Sequence, residues 1–191
     1  MKKISVIALV CLAAAAAVRA DIIPSFAGVA PGSGTNTVWN YNIDITASQQ
    51  VNAGDFFTIY DFGPFIAGTA VAPAGWVFSS SLITPPPMGT VPPDDPTLAN
   101  LTWTYQGANV IPTNTHLGPF SITQATSSFS EMASIHTGYF AASATRNDGS
   151  GTKINNVGQV PVPVPVPEPT TLSLLAMAGI GSALKAIRRR K

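Results

Sequence analysis

Side chains able to do acid, base or metal chemistry are few in this chain, and they are scattered. His116 and His136 stand twenty residues apart in Thr- and Ser-rich surroundings. Imidazole changes charge near neutral pH, so either could act as a base, or the two together as metal ligands. No cluster of titratable residues surrounds either one, and an ordinary surface or strand position accounts for both. Asp94 and Asp95 offer hard oxygen ligands of the kind calcium takes, but the Asp-x-Asp-x-Asp-Gly spacing is missing, so a solvated loop is the simpler reading. Asp55 and Asp61 could be paired carboxylates for glycoside cleavage. Strand alternation points them off opposite ends of one segment, as turn and edge residues. No Gly-x-Ser-x-Gly elbow and no phosphate-binding glycine loop is present. No residue is therefore assigned to catalysis, to a cofactor or to a metal. The rings of Trp39, Trp76, Trp103, Tyr105 and Tyr139 could stack on sugars if they faced outward, as in a carbohydrate-binding module; core packing is the competing use.

The elements that would carry these residues are strands. Between Val38 and Thr46 the odd positions Trp39, Tyr41, Ile43 and Ile45 alternate with Asn40, Asn42, Asp44 and Thr46. Leu101, Trp103 and Tyr105 alternate with Thr102, Thr104 and Gln106 in the same way. Phe56 to Phe62 is apolar on both faces and predicts a central strand, while Trp76 to Phe78, Phe120 to Thr123 and Ile135 to Ala144 are further strands. Asn52-Ala-Gly-Asp55 and Asn147-Asp-Gly-Ser150 carry turn chemistry. Val38–Thr46 and Val51–Phe62 are expected to pair as a hairpin across Ser48-Gln49-Gln50. Six prolines make Thr84 to Thr97 a long loop. These features predict an all-β body, a single antiparallel β-sandwich over residues 21–158, of immunoglobulin-like or jelly-roll topology. Proline on every second position predicts an extended linker over 159–169.

Both ends of the chain differ from the body. Met1-Lys2-Lys3 is a basic start, Ile4 to Val18 an apolar run, and Val18-Arg19-Ala20 a cleavage site, so residues 1–20 read as a signal peptide cut between Ala20 and Asp21. Signal peptidase and the Sec export machinery are the partners this implies. The one cysteine, Cys11, lies within that signal, which leaves a mature chain without disulfides or thiolate chemistry. At the other end Val166, Pro167, Glu168 and Pro169 precede an uncharged stretch from Thr171 to Leu184, and Arg188, Arg189, Arg190 and Lys191 close the chain. Fourteen uncharged residues, or seventeen if Lys185 snorkels and the helix continues to Ile187, make a marginal membrane span over 170–191. The basic residues hold that end in the cytoplasm.

The order of motif, apolar stretch and basic tail resembles the sorting signal of PEP-CTERM proteins, the substrates of exosortase. The resemblance implies a Gram-negative source, transient anchoring in the inner membrane, removal of the tail near the Pro-Glu-Pro motif, and a final place at the cell surface or in the extracellular matrix. It also implies association with extracellular polysaccharide or biofilm. A bacterial source leaves the Asn100-Leu-Thr102 glycosylation sequon idle. From Asp21 to Pro167 the body carries eight acids and two bases, Arg146 and Lys153, a net charge of −6, which argues against nucleic acid as a partner. Three readings follow: a non-enzymatic structural or adhesive surface protein; a carbohydrate-binding module using exposed aromatics; and, with least in its favour, a hydrolase.

Overall fold

The computed structural model describes residues 21–125 and 135–163. The signal peptide up to Ala20, the sorting motif Val166–Pro169, the transmembrane helix expected over 170–191 and the basic residues Arg188 to Lys191 lie outside the described residues.

Nine strands form among them: β1 (Ile22–Pro31), β2 (Thr37–Ile45), β3 (Gln49–Gln50), β4 (Phe56–Ile59), β5 (Trp76–Ser81), β6 (Asn100–Tyr105), β7 (Thr115–Gln124), β8 (Ile135–Arg146) and β9 (Lys153–Pro163). They build two antiparallel sheets. One runs β1-β2-β7; the other runs β9-β8, then β4 with the short β3 on the same flank of β8, then β6 and β5. The period-two reading of β2 places its side chains correctly, since Trp39, Tyr41, Ile43 and Ile45 are buried and Asn40, Asn42 and Asp44 are not. β4 is the central strand its double apolar face predicts, flanked by β6 and β8. It stops at Ile59, and the chain turns at Asp61 with φ 56°, a left-handed conformation that Asp adopts more readily than most residues.

Aromatic rings hold the two sheets together. Phe120 on β7 meets Phe57 edge-on at 5.0 Å and Trp76 at 5.2 Å, while Phe57 stacks on Trp103 at 5.1 Å. Phe62 fills the space beside Trp39 and Tyr41. Buried rings of this size bring both large apolar area and preferred edge or offset geometries. The outer face of the larger sheet carries small side chains, and Thr58, Ala141, Ser143 and Thr145 are buried there too. The proline loop between β5 and β6 reaches across to β9. It buries Pro87, Thr90 and Pro92, and at its far side Asn155 of β9 donates from Nδ2 to the Met88 carbonyl at 2.9 Å.

Two expectations are corrected. β2 and β4 do not form a hairpin: β2 pairs with β1 and β7, and β4 with β6 and β8. The chain from Thr46 to Asp55 crosses from one sheet to the other instead, and its Gln49–Gln50 segment pairs with β8. The body also does not end at residue 158. β9 continues to Pro163, with Val160 and Val162 in the core, so the expected linker over 159–169 is strand as far as Pro163, and its remainder lies outside the described residues. Proline on alternate positions places every missing N–H on the same side of the strand. An edge strand bonded only to β8 tolerates that arrangement on its open side. β9 also supplies a glycine where β8 needs room: a Cβ at Gly158 would lie 2.6 Å from the Phe140 ring, so the glycine lets that ring lie over its cross-strand partner.

Candidate functional site

The structure separates the two histidines and gives neither a metal-like setting. His116 on β7 sits opposite Asp44 of β2, and its Nδ1 lies 2.7 Å from Asp44 Oδ1, both side chains being more than half exposed. A pair so placed contributes little to stability. His136 is exposed on β8. Among the described residues no group of three or more His, Cys, Asp or Glu is placed to hold a metal ion.

The acidic residues fall into two groups. Asp61, Asp94 and Asp95 gather where the proline loop returns to β6. The Asp95 backbone N–H donates to Asp61 Oδ1 at 2.8 Å, Asn100 Nδ2 donates to Asp94 Oδ1 at 2.9 Å, and Asn100 Oδ1 accepts from the Asp61 N–H. Asp95 closes its own turn by accepting from the Thr97 N–H and hydroxyl. Each carboxylate is thus tied to the loop that it helps fold. Burial raises the Asp61 carboxyl above its ordinary range, with Asp94 and Asp95 adding like-charge repulsion, while the Asp95 N–H and the nearby His136 act in the opposite direction. The Thr97 N–H and hydroxyl lower Asp95. Burial first, then the Asp94 charge, pushes the Tyr60 phenol up to about 12.

A group whose folded pKa lies above its unfolded value binds more protons when folded, so its contribution to stability falls as pH rises through that window. Asp61→Asn keeps an oxygen for the Asp95 N–H and suits the left-handed backbone, while removing the charge. We expect this variant to melt at a higher temperature than the parent at pH 7, and the gap to close towards pH 3, where the parent's own carboxyl is protonated. Paired thermal melts across that range check it, and a lower Tm for the variant at pH 7 counts against the assignment.

Asp55 is not a partner for Asp61. It lies fully buried at the end of the Asn52–Asp55 turn. Its Oδ2 accepts from the Asn52 N–H at 2.7 Å and the Thr145 N–H at 3.1 Å, the Thr145 hydroxyl reaches both carboxylate oxygens, and Lys153 Nζ bonds to Oδ1. The geometry gives no support to paired carboxylates for glycoside cleavage. Sequence reasoning missed this ion pair, in which the carboxylate is buried and the lysine partly exposed. A usable signal was present, because Lys153 is one of only two basic residues in the body.

The aromatics do not form an outward platform. Trp39, Trp103, Trp76 and Tyr105 are all buried, at 1%, 0%, 7% and 5% exposure, and only Tyr139 of the five is half-buried. The carbohydrate-binding reading that rested on exposed rings is therefore corrected: a sandwich this small uses its largest apolar side chains to join its sheets. The described residues do leave an open cleft of about 290 Å³, lined by Gln50, Asn52, Ala53 and residues 107–110. Its wall is set by Tyr105, whose hydroxyl donates to the Asn109 carbonyl at 2.6 Å and whose ring lies so close to Gly107 that no larger residue fits there. Amides and backbone groups can bind neutral polar molecules; nothing in this cleft can attack one.

One comparison with known proteins bears on the end of the chain. Residues 165–191 match the PEP-CTERM protein-sorting motif. No curated protein matches the chain. Among solved structures, an uncharacterized protein from Nocardia farcinica with an immunoglobulin-like fold is similar over 70% of this chain and 81% of its own, at 14% identity and a TM-score of 0.34. The collagen-binding subdomain of the Enterococcus faecalis surface protein ACE is similar over 73% of this chain and 94% of its own, at 9% identity and a TM-score of 0.34.

Proposed function

We propose that this chain, which carries a PEP-CTERM sorting motif at residues 165–191, is an exported surface or matrix protein whose β-sandwich is a structural or adhesive body without catalytic chemistry of its own. The motif implies exosortase as the processing partner. The finer steps are part of the proposal: cleavage after Ala20, transient seating of the apolar tail in the inner membrane of a Gram-negative cell, cutting near Val166–Pro169, and release to a polysaccharide-rich matrix. We read the sandwich as immunoglobulin-like. A jelly roll sets eight strands in two Greek keys, whereas this body sets three against six.

The observation that carries the reading is how closely the sandwich adjoins the sorting signals. β1 opens at Ile22, directly after the expected mature start at Asp21, and β9 closes at Pro163, just before the matched segment. Residues 164–169 reach at most about 20 Å even when extended. An enzyme that cuts at the motif therefore works close beside the folded body, and cutting there removes no strand of it. Mass spectrometry of the mature C-terminus from producing cells tests the proposal. A terminus near residue 167 is expected, and mature protein still ending in Arg188 to Lys191 would overturn processing.

A further inference from the structure

The Asp55 site has the parts of a reaction as well as those of an ion pair. Asp55 comes from the turn before β4, Lys153 opens β9, and Thr145 stands opposite Lys153 on β8. We propose that Lys153 and Asp55 condense to an intramolecular amide that staples the last strand of the sandwich to its centre.

Every group needed is in place. Asp55 Oδ2 is held by two backbone N–H groups, from Asn52 at 2.7 Å and Thr145 at 3.1 Å. Donors fixed on one oxygen stabilise the negative charge that develops there when the carbonyl carbon is attacked. The other oxygen, Oδ1, faces Lys153 Nζ. The Thr145 hydroxyl lies 2.9 Å from Nζ, 2.9 Å from Oδ2 and 3.2 Å from Oδ1, so it can pass protons from the amine to the carboxylate. The ammonium carries three protons. Two move to Oδ1, the nitrogen lone pair forms the bond to Cγ, the Cγ–Oδ1 bond breaks, and Oδ1 leaves as water; the third proton stays on the amide. No oxidant, cofactor or second protein is required. Asp55 is fully buried, which keeps bulk water from the carbonyl carbon once the amide has formed, while the lysine stem is 44% exposed and gives the released water a way out.

Such a bond would serve this chain in a particular way. The mature body has no cysteine with which to form a disulfide, and β9 is the strand that leads into residues 165–191. While the tail is seated in the membrane before it is cut, as proposed above, any pull on it enters the sandwich through β9, which among the described residues is paired only with β8. A covalent link from Lys153 to the turn before β4 moves that load to the middle of the sheet.

The test is a peptide map of the folded full-length chain. We expect a branched peptide that joins the segments around Asp55 and Lys153, one water lighter than the two peptides together. Lys153→Arg keeps the charge pair but cannot form this amide with release of water, and should give two separate peptides from an equally folded protein. Thr145→Val should fold and lower the linked fraction. If the folded parent gives only separate peptides, and Lys153 is fully labelled by an amine reagent after denaturation, the proposal is overturned and the site is an ion pair alone.

Discussion

Removing residues 166–191 is expected to leave the sandwich folded and to abolish its delivery to the surface. The fold should survive because β9 ends at Pro163 and the described core residues run no further than Val162. Delivery should fail because the deleted segment holds the apolar stretch and basic tail that the sorting motif needs to seat the chain in a bilayer. On the sorting proposal its uncharged run, Thr171 to Leu184, is the stretch expected to enter the membrane, near the short limit for spanning, with the terminal Arg and Lys residues setting its orientation. Without it, an exported chain has nothing to hold it at the membrane for processing, and it should collect as a soluble species. Replacing Pro167, Glu168 and Pro169 by alanine should do something different, leaving an unprocessed protein at the inner membrane. Fractionation in a host with exosortase, together with circular dichroism of the truncated protein, reads both outcomes. Unchanged surface delivery of the truncated chain would sink the sorting assignment.

Trp103→Ala is expected to be the most damaging single change to the body. Trp103 is fully buried, stacked on Phe57 at 5.1 Å and packed on Phe78 at 5.2 Å and Phe120 at 6.0 Å. It thus touches β4, β5 and β7 from β6, and so spans both sheets. Truncating a buried Trp costs about 3–5 kcal/mol through lost transfer energy and the cavity left behind. That compares with a total stability of about 5–15 kcal/mol for a domain, so the variant should be marginal or unfolded at 37 °C. Trp103→Phe should lose much less, under about 1.5 kcal/mol. It keeps a ring against Phe57 and removes an indole N–H that has no hydrogen-bond partner among the described residues. Denaturant unfolding of both variants checks this. A loss below about 1 kcal/mol for the alanine variant would show that the ring is not part of the core, and would reopen the sugar-stacking role that its burial closes.

How far residues can be read ahead of a structure varies along this chain. Trp39, Tyr41, Ile43 and Ile45 were legible as one inward face, as were Leu101, Trp103 and Tyr105, because a strand's side chains alternate with a period of two whatever the strand pairs with. The two turns, at Asn52 and Asn147, were legible because their residue types accept turn geometry locally. The false hairpin between β2 and β4 came from the same kind of local reasoning. Neighbouring strands often pair, but here ten intervening residues carry the chain between sheets. The proline-rich end of β9 was misread for a related reason. Pro161 and Pro163 look like a linker in isolation and become strand residues once β8 offers Val160 and Val162 a core to enter.

Local chemistry written in the order of residues settles the turns, the inward faces and the tail, since each depends only on neighbours a few positions away. Which sheet each strand joins, the bond from Asn155 of β9 to the proline loop at Met88, and the meeting of Asp55 with Lys153 across 98 positions all depend on closure of long segments. Backbone ladders are chemically alike, so they do not name their partners. The choice is made by the fit of large rings such as Phe57, Trp103 and Phe120 between the two layers, and that fit exists only once the chain has folded.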